Sequence, residues 1–139
     1  MSYPFRHVFR VRYAEVDPQS VVFNSRYLEY ADVLVTEFFR DRGTADLPGD
    51  LEFHVRRAEV DYLVPIRHDE LIEGRLTVEH IGNSSMTMLV SLHGADDGSH
   101  RADIRLVQVR VDLATGKPLR IEDEVRAAYG FASAEVAHA

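Results

Sequence analysis

The chain has 139 residues, no cysteine and a formal net charge of −7. That length predicts one domain, 1–139 with its core over about 5–129, and the missing cysteines exclude disulfides, thiolate zinc sites and a cysteine nucleophile. The acidic balance argues against a nucleic-acid partner, no apolar run approaches the ~20 residues of a membrane helix, and the opening MSYPFRHVFR has no apolar signal segment, so no membrane partner and a cytoplasmic location are expected.

Residues 5–13 alternate. Phe5, His7, Phe9, Val11 and Tyr13 share one face, and Arg6, Val8, Arg10 and Arg12 the other, which predicts a strand with one mainly basic face. A loop over 14–23 follows and contains Asp17-Pro18. Pro18 removes a backbone donor and pushes Asp17 out of helical geometry, so a carboxylate is held in a loop just ahead of a helix. That helix is the clearest signal in the chain. Tyr27, Leu28, Ala31, Leu34, Val35, Phe38 and Phe39 form an apolar stripe on a 3.6-residue period. Asn24 or Ser25 is expected to cap its start, Gly43 suits a left-handed stop, and a length of about 18 residues makes it roughly 27 Å long.

Residues 43–51 hold two glycines and a proline and are read as a loop. Residues 52–64 read as a strand, with Ala58, Val60, Tyr62 and Val64 on one face and the charged Arg57, Glu59 and Asp61 on the other. Further strands are expected at 70–81, 86–93 and 101–113, separated by turns at 82–85 and 94–99. A turn at 115–118 and a short helix at 121–129 follow, and 131–139 is expected to fray. Strands joined by such short turns pair antiparallel, and a curled sheet around one helix is the simplest way to bury the stripe. Unpaired strand edges then call for a second copy of the chain.

The string Asp17-Pro18-x-x-Val21-Val22-Phe23-Asn24-x-x-Tyr27-Leu28, followed by the amphipathic helix, resembles the signature of acyl-CoA thioesterases of the 4-hydroxybenzoyl-CoA thioesterase type. Val60-Asp61-Tyr62-Leu63-Val64-Pro65, Asp69-Glu70-Leu71 and Val111-Asp112-x-x-Thr115-Gly116-Lys117-Pro118 are similar as well, so the resemblance covers roughly residues 5–129. It implies the hotdog fold: an α+β architecture in which a curled, mainly antiparallel sheet of about five strands wraps one long central helix. It also implies a homodimer or homotetramer with active sites between subunits, and an acyl-CoA or acyl-carrier-protein thioester as substrate. Asp17 matches the essential carboxylate, acting as nucleophile or as base toward water, although an ordinary turn role is the plainer reading of Asp-Pro. Asn24 matches the helix-start residue whose N–H meets the thioester oxygen, beside a plain capping role.

Phe23, Tyr27 and Tyr30 are the candidate acyl-binding residues, with Tyr27 also on the core stripe; they suggest an aromatic or medium apolar acyl group. Glu29 is the alternative carboxylate. Two positions depart from the family pattern. Ser20 stands where relatives commonly carry Gly, and the turn at 82–85 lacks the cation that binds CoA phosphates in many relatives, so other arginines, such as Arg57, Arg67 or Arg101, or backbone N–H groups must serve instead. The seven histidines show no ligand spacing, so neither a metal nor another cofactor is expected. The expected function is hydrolysis of an acyl thioester to acid and thiol. A non-catalytic thioester-binding protein is the alternative, and a dehydratase ranks last because no histidine lies between residues 8 and 53.

Overall fold

The computed structural model describes residues 4–45 and 52–131. The element order is β1 (Phe5–Arg10), a 3-10 turn (Tyr13–Glu15), α1 (Arg26–Asp41), β2 (Phe53–Tyr62), β3 (Leu71–Ile81), β4 (Ser85–Gly94), β5 (His100–Arg110) and α2 (Asp123–Ala128). The expected loop at 43–51 lies outside the described residues from 46 onward, as does the expected fraying segment beyond 131. Five strands form one sheet in the order β1-β3-β4-β5-β2, and every adjacent pair is antiparallel. This is the α+β hotdog arrangement expected from the sequence.

Strict alternation makes one face of the sheet apolar. Met86, Met88, Val90 and Leu92 of β4 and Ala102, Ile104 and Leu106 of β5 all point inward and are buried. Bulges in β2, β3 and β5 bend those strands and curl the sheet. Onto this concave face α1 lays Tyr27, Tyr30, Ala31, Leu34, Val35 and Phe38. Each fully buried Leu or Phe of this kind is worth roughly 1.5–3 kcal/mol. Gly74 of β3 lets the helix come close, because a Cβ there would lie 2.5, 2.7 and 2.9 Å from three side-chain atoms of Leu34.

The buried stripe is rotated from the expected one. Leu28 is 43% exposed, whereas Tyr30 is buried, because Phe9 packs on its ring at 4.7 Å and Glu15 takes its hydroxyl. The α1 C-terminus closes as expected: Gly43 has φ +71° and the Thr44 N–H donates to the Phe39 carbonyl at 2.9 Å. β1 is shorter than expected. The Arg12 N–H donates to the Glu15 carboxylate at 2.8 Å and draws the chain into the 3-10 turn, which leaves Tyr13 exposed. At the far end, Tyr129 after α2 packs on Phe38 and Phe39 and shares a 2.8 Å hydrogen bond with Thr44.

Candidate active site

The loop before α1 is held rigidly at its base. The buried Glu15 carboxylate accepts from the Arg12 backbone and guanidinium at 2.8–3.0 Å and from the Tyr30 hydroxyl at 2.9 Å. Burial raises the pKa of Glu15, but these hydrogen bonds outweigh it and keep the carboxyl below its usual range. Burial first, and then the Glu15 contact, push the Tyr30 hydroxyl well above the usual phenol range.

Val16 pairs with Val22 across the loop, and between them the chain turns tightly. The Asp17 N–H donates to the Val21 carbonyl at 2.8 Å, and the Ser20 N–H donates to the Asp17 carbonyl at 2.9 Å. One Asp17 carboxylate oxygen accepts from the Gln19 N–H at 2.8 Å, and among the described residues the other has no partner. Ser20 takes φ +64°, the left-handed geometry that glycine would adopt without penalty. The serine therefore keeps a glycine-type turn and does not impose a different one.

The Phe23 N–H donates to the Glu15 carbonyl at 3.1 Å, which ties the Asp17 loop directly to the start of α1. Ser25 stands at the N-cap with helical φ −67° and ψ −21°, and neither it nor Asn24 makes the expected side-chain cap. Instead the Arg26 N–H closes onto the Phe23 carbonyl at 2.9 Å. Among the described residues, the backbone N–H groups of Asn24 and Ser25 have no acceptor. They sit at the positive end of a 16-residue helix. The Asn24 carbonyl is taken by the Tyr62 hydroxyl at 3.0 Å, which brings the end of β2 against the helix start.

Beside these amides lies a cavity of about 370 Å³, lined by Val21, Val22, Asn24, Tyr27, Tyr62, Leu63, Val64 and Pro65. Tyr27 and Tyr62 meet edge to face at 4.8 Å. The Val22 N–H to the Ile66 carbonyl at 2.8 Å and the pairing of Val21 with Arg67 hold the outer wall. A second cavity of about 260 Å³ lies further along the seam between α1 and β2, lined by Leu28, Asp32, Val35, Val55, Ala58, Leu106 and Gln108.

The structure thus brings Asn24 and Tyr27 to one cavity, with Asp17 on the adjoining turn and the exposed Arg67 beside it. Phe23 is 50% exposed and does not line the cavity. Tyr30 does not line this cavity: its ring lies behind Tyr27, centroids 6.2 Å apart, and faces Arg12, Glu15 and Glu29. Glu29 pairs with Arg26 at 3.0 Å. Arg57 alternates with Ala58, which lines the seam, so it is exposed on the other face and paired with Glu59. Arg101 is not available for phosphates: it is buried and donates to both Glu70 oxygens at 2.7 Å, to the Pro65 carbonyl and to Ser99.

Sequence reasoning missed Glu15, Arg126 and Gln108. Arg126 is fully buried and donates to the Gly82 and Asn83 carbonyls, so a cation lies under the uncharged turn at 82–85. Gln108 had a signal, as a lone amide in the inward apolar alternation of β5. Among the described residues no group of three or more His, Cys, Asp and Glu is placed to hold a metal, and no helix is long and apolar enough to cross a membrane. A carboxylate, paired free N–H donors and an apolar cavity together offer what acyl transfer requires: a group to drive attack, an oxyanion site and room for an acyl chain.

The model of the thioesterase-like superfamily matches residues 11–129. The acyl-CoA thioesterase YbgC of Haemophilus influenzae is 26% identical over 129 residues, covering 90% of this chain and 93% of that protein. The crystal structure of PA5185 from Pseudomonas aeruginosa superposes with a TM-score of 0.85 at 27% identity, covering 94% of each chain. A thioesterase from Thermus thermophilus, crystallised with coenzyme A and zinc, superposes with a TM-score of 0.81 at 26% identity, covering 93% of this chain and 99% of that one.

Proposed function

The chain belongs to the thioesterase-like superfamily, and on that premise we propose that it hydrolyses acyl-CoA thioesters, with Asp17 driving attack and the start of α1 holding the oxyanion. The observation that carries the proposal is the pair of Asn24 and Ser25 N–H groups, without an acceptor among the described residues, at the positive end of α1, beside an apolar cavity and tied to the Asp17 turn. The thioester oxygen accepts from these donors. Charge grows on that oxygen as the carbonyl becomes tetrahedral, so fixed donors favour the transition state over the substrate. The free oxygen of Asp17 either attacks the carbonyl carbon or removes a proton from the attacking water. Collapse of the intermediate breaks the carbon–sulfur bond and releases the thiol; where water attacks, the free acid forms in the same step, and where Asp17 attacks, water then hydrolyses the mixed anhydride to free the acid and restore the carboxylate. No step requires a metal or redox cofactor. Phosphate contacts fall to exposed arginines, of which Arg67 stands beside the Asp17 turn.

A homodimer completes the unit. β2 is a ten-residue edge strand, and Val55 and Tyr62 on it and Leu63 and Val64 just after it are about half exposed. Pairing of two β2 edges satisfies their backbone groups and covers these side chains, and two such dimers form the tetramer. Light scattering should give a mass of two or four chains.

The uncharged turn at 82–85 favours a second reading in which the thiol is that of an acyl carrier protein. Thiol release from matched acyl-CoA and acyl-carrier-protein substrates tests both. Turnover of acyl-CoA supports the main proposal, turnover of carrier thioesters alone supports the second, and turnover of neither overturns hydrolysis.

A further inference from the structure

Gln108 is the polar side chain that the sheet contributes to the inner wall of the α1–β2 seam, where α1 contributes Leu28 and Val35 and β2 contributes Val55 and Ala58. It is 6% exposed, and among the described residues its buried side-chain oxygen has no hydrogen-bond partner. Its neighbour Leu106 is apolar, and the next inward residue, Arg110, is engaged with Glu122. A buried amide end without a partner is destabilising, and a donor brought by a ligand removes that penalty.

The seam has a direction. Tyr27 meets Tyr62 at one end and Phe39 meets Phe53 at 5.9 Å at the other, so α1 and β2 run antiparallel. The cavity at Gln108 lies between these two contacts. Asp32, on its helical wall, is eight residues beyond Asn24, or about 12 Å along the axis at 1.5 Å per residue. An acyl group whose carbonyl sits at the start of α1 therefore reaches this cavity only with its far end.

Resting on the thioesterase reading, we propose that Gln108 selects acyl chains of medium length that carry a hydroxyl at their distal end. A hydroxyl both donates and accepts, so it satisfies the amide whichever way its oxygen and nitrogen are turned. Leu28, Val35, Val55, Ala58 and Leu106 hold the last methylenes, and Gln108 distinguishes a hydroxylated end from a plain methyl.

The test compares decanoyl-CoA with ω-hydroxydecanoyl-CoA. Turnover is followed by thiol release, and binding by calorimetry with the non-hydrolysable thioether analogues. Wild-type protein should favour the hydroxylated compound about tenfold in Kd and in kcat/KM. Gln108→Leu and Gln108→Met should lose that preference and gain melting temperature, because the orphaned amide is gone. Equal binding of the two analogues by wild type overturns the proposal, and that comparison needs no variant to fold. Persistence of the preference in both variants also overturns it. Binding selectivity without turnover leaves Gln108 as the selector and removes hydrolysis; turnover without selectivity does the reverse.

Discussion

Gly74→Ala tests the packing that positions α1. The added Cβ would lie 2.5–2.9 Å from three atoms of Leu34, which is itself fully buried. Overpacking of this kind costs about 1–3 kcal/mol, while replacing a strand glycine by alanine returns about 0.5–1 kcal/mol. The net expectation is a loss of about 0–2.5 kcal/mol. Leu34→Ala removes the colliding atoms and alone costs about 2–5 kcal/mol through its cavity. Combined with Gly74→Ala it should cost no more than it does alone, because the new methyl occupies vacated space. Urea unfolding of the four proteins at one concentration gives the cycle, with equal m-values required. Penalties that simply add, or a Gly74→Ala variant more stable than wild type, would refute the close approach.

Asn24→Ala keeps the backbone donor and should leave thiol release within a few-fold, whereas Asn24→Pro removes it and should cost about 10²–10³-fold in kcat. Ser20→Gly relieves the φ +64° strain against a greater loss of chain entropy, so it should be neutral or stabilising by up to about 1 kcal/mol in thermal unfolding. Glu70 is held below the usual carboxylate range, chiefly by its hydrogen bonds from Arg101. Its folded pKa is depressed, so its stabilisation is present above its unfolded pKa of about 4.3 and is lost as pH falls through the lower folded value. Glu70→Gln should therefore cost about 1–3 kcal/mol near neutrality and flatten the acid limb of a stability-against-pH curve.

Much of the fold was legible because period and punctuation agreed. The 3.6-residue stripe of α1, the alternation in β3 to β5 and the glycines at turns each point to one local structure. The rotation of α1 was not legible, because Tyr30 is buried by Phe9 and Glu15, partners that no local pattern reveals. The Asp17 turn could be located through its proline, but its left-handed Ser20 could not, since that conformation depends on the pairing of Val16 with Val22. Arginines were the hardest to place. Arg57, Arg67, Arg101 and Arg126 look alike in sequence, yet two are exposed and two are buried supports. Which one a residue becomes depends on distant carboxylates and carbonyls, such as Glu70 for Arg101 and Gly82 for Arg126.

The central claim is that Asp17 drives hydrolysis of an acyl thioester. Thiol release should be measured over short, medium and aromatic acyl-CoAs for wild type and Asp17→Asn, with circular dichroism and melting temperature confirming an intact fold. A fall of about 10²–10⁴-fold in kcat for the variant, on substrates that wild type turns over, is the expected result. Turnover unchanged in a folded Asp17→Asn protein would contradict it and remove this carboxylate from the chemistry.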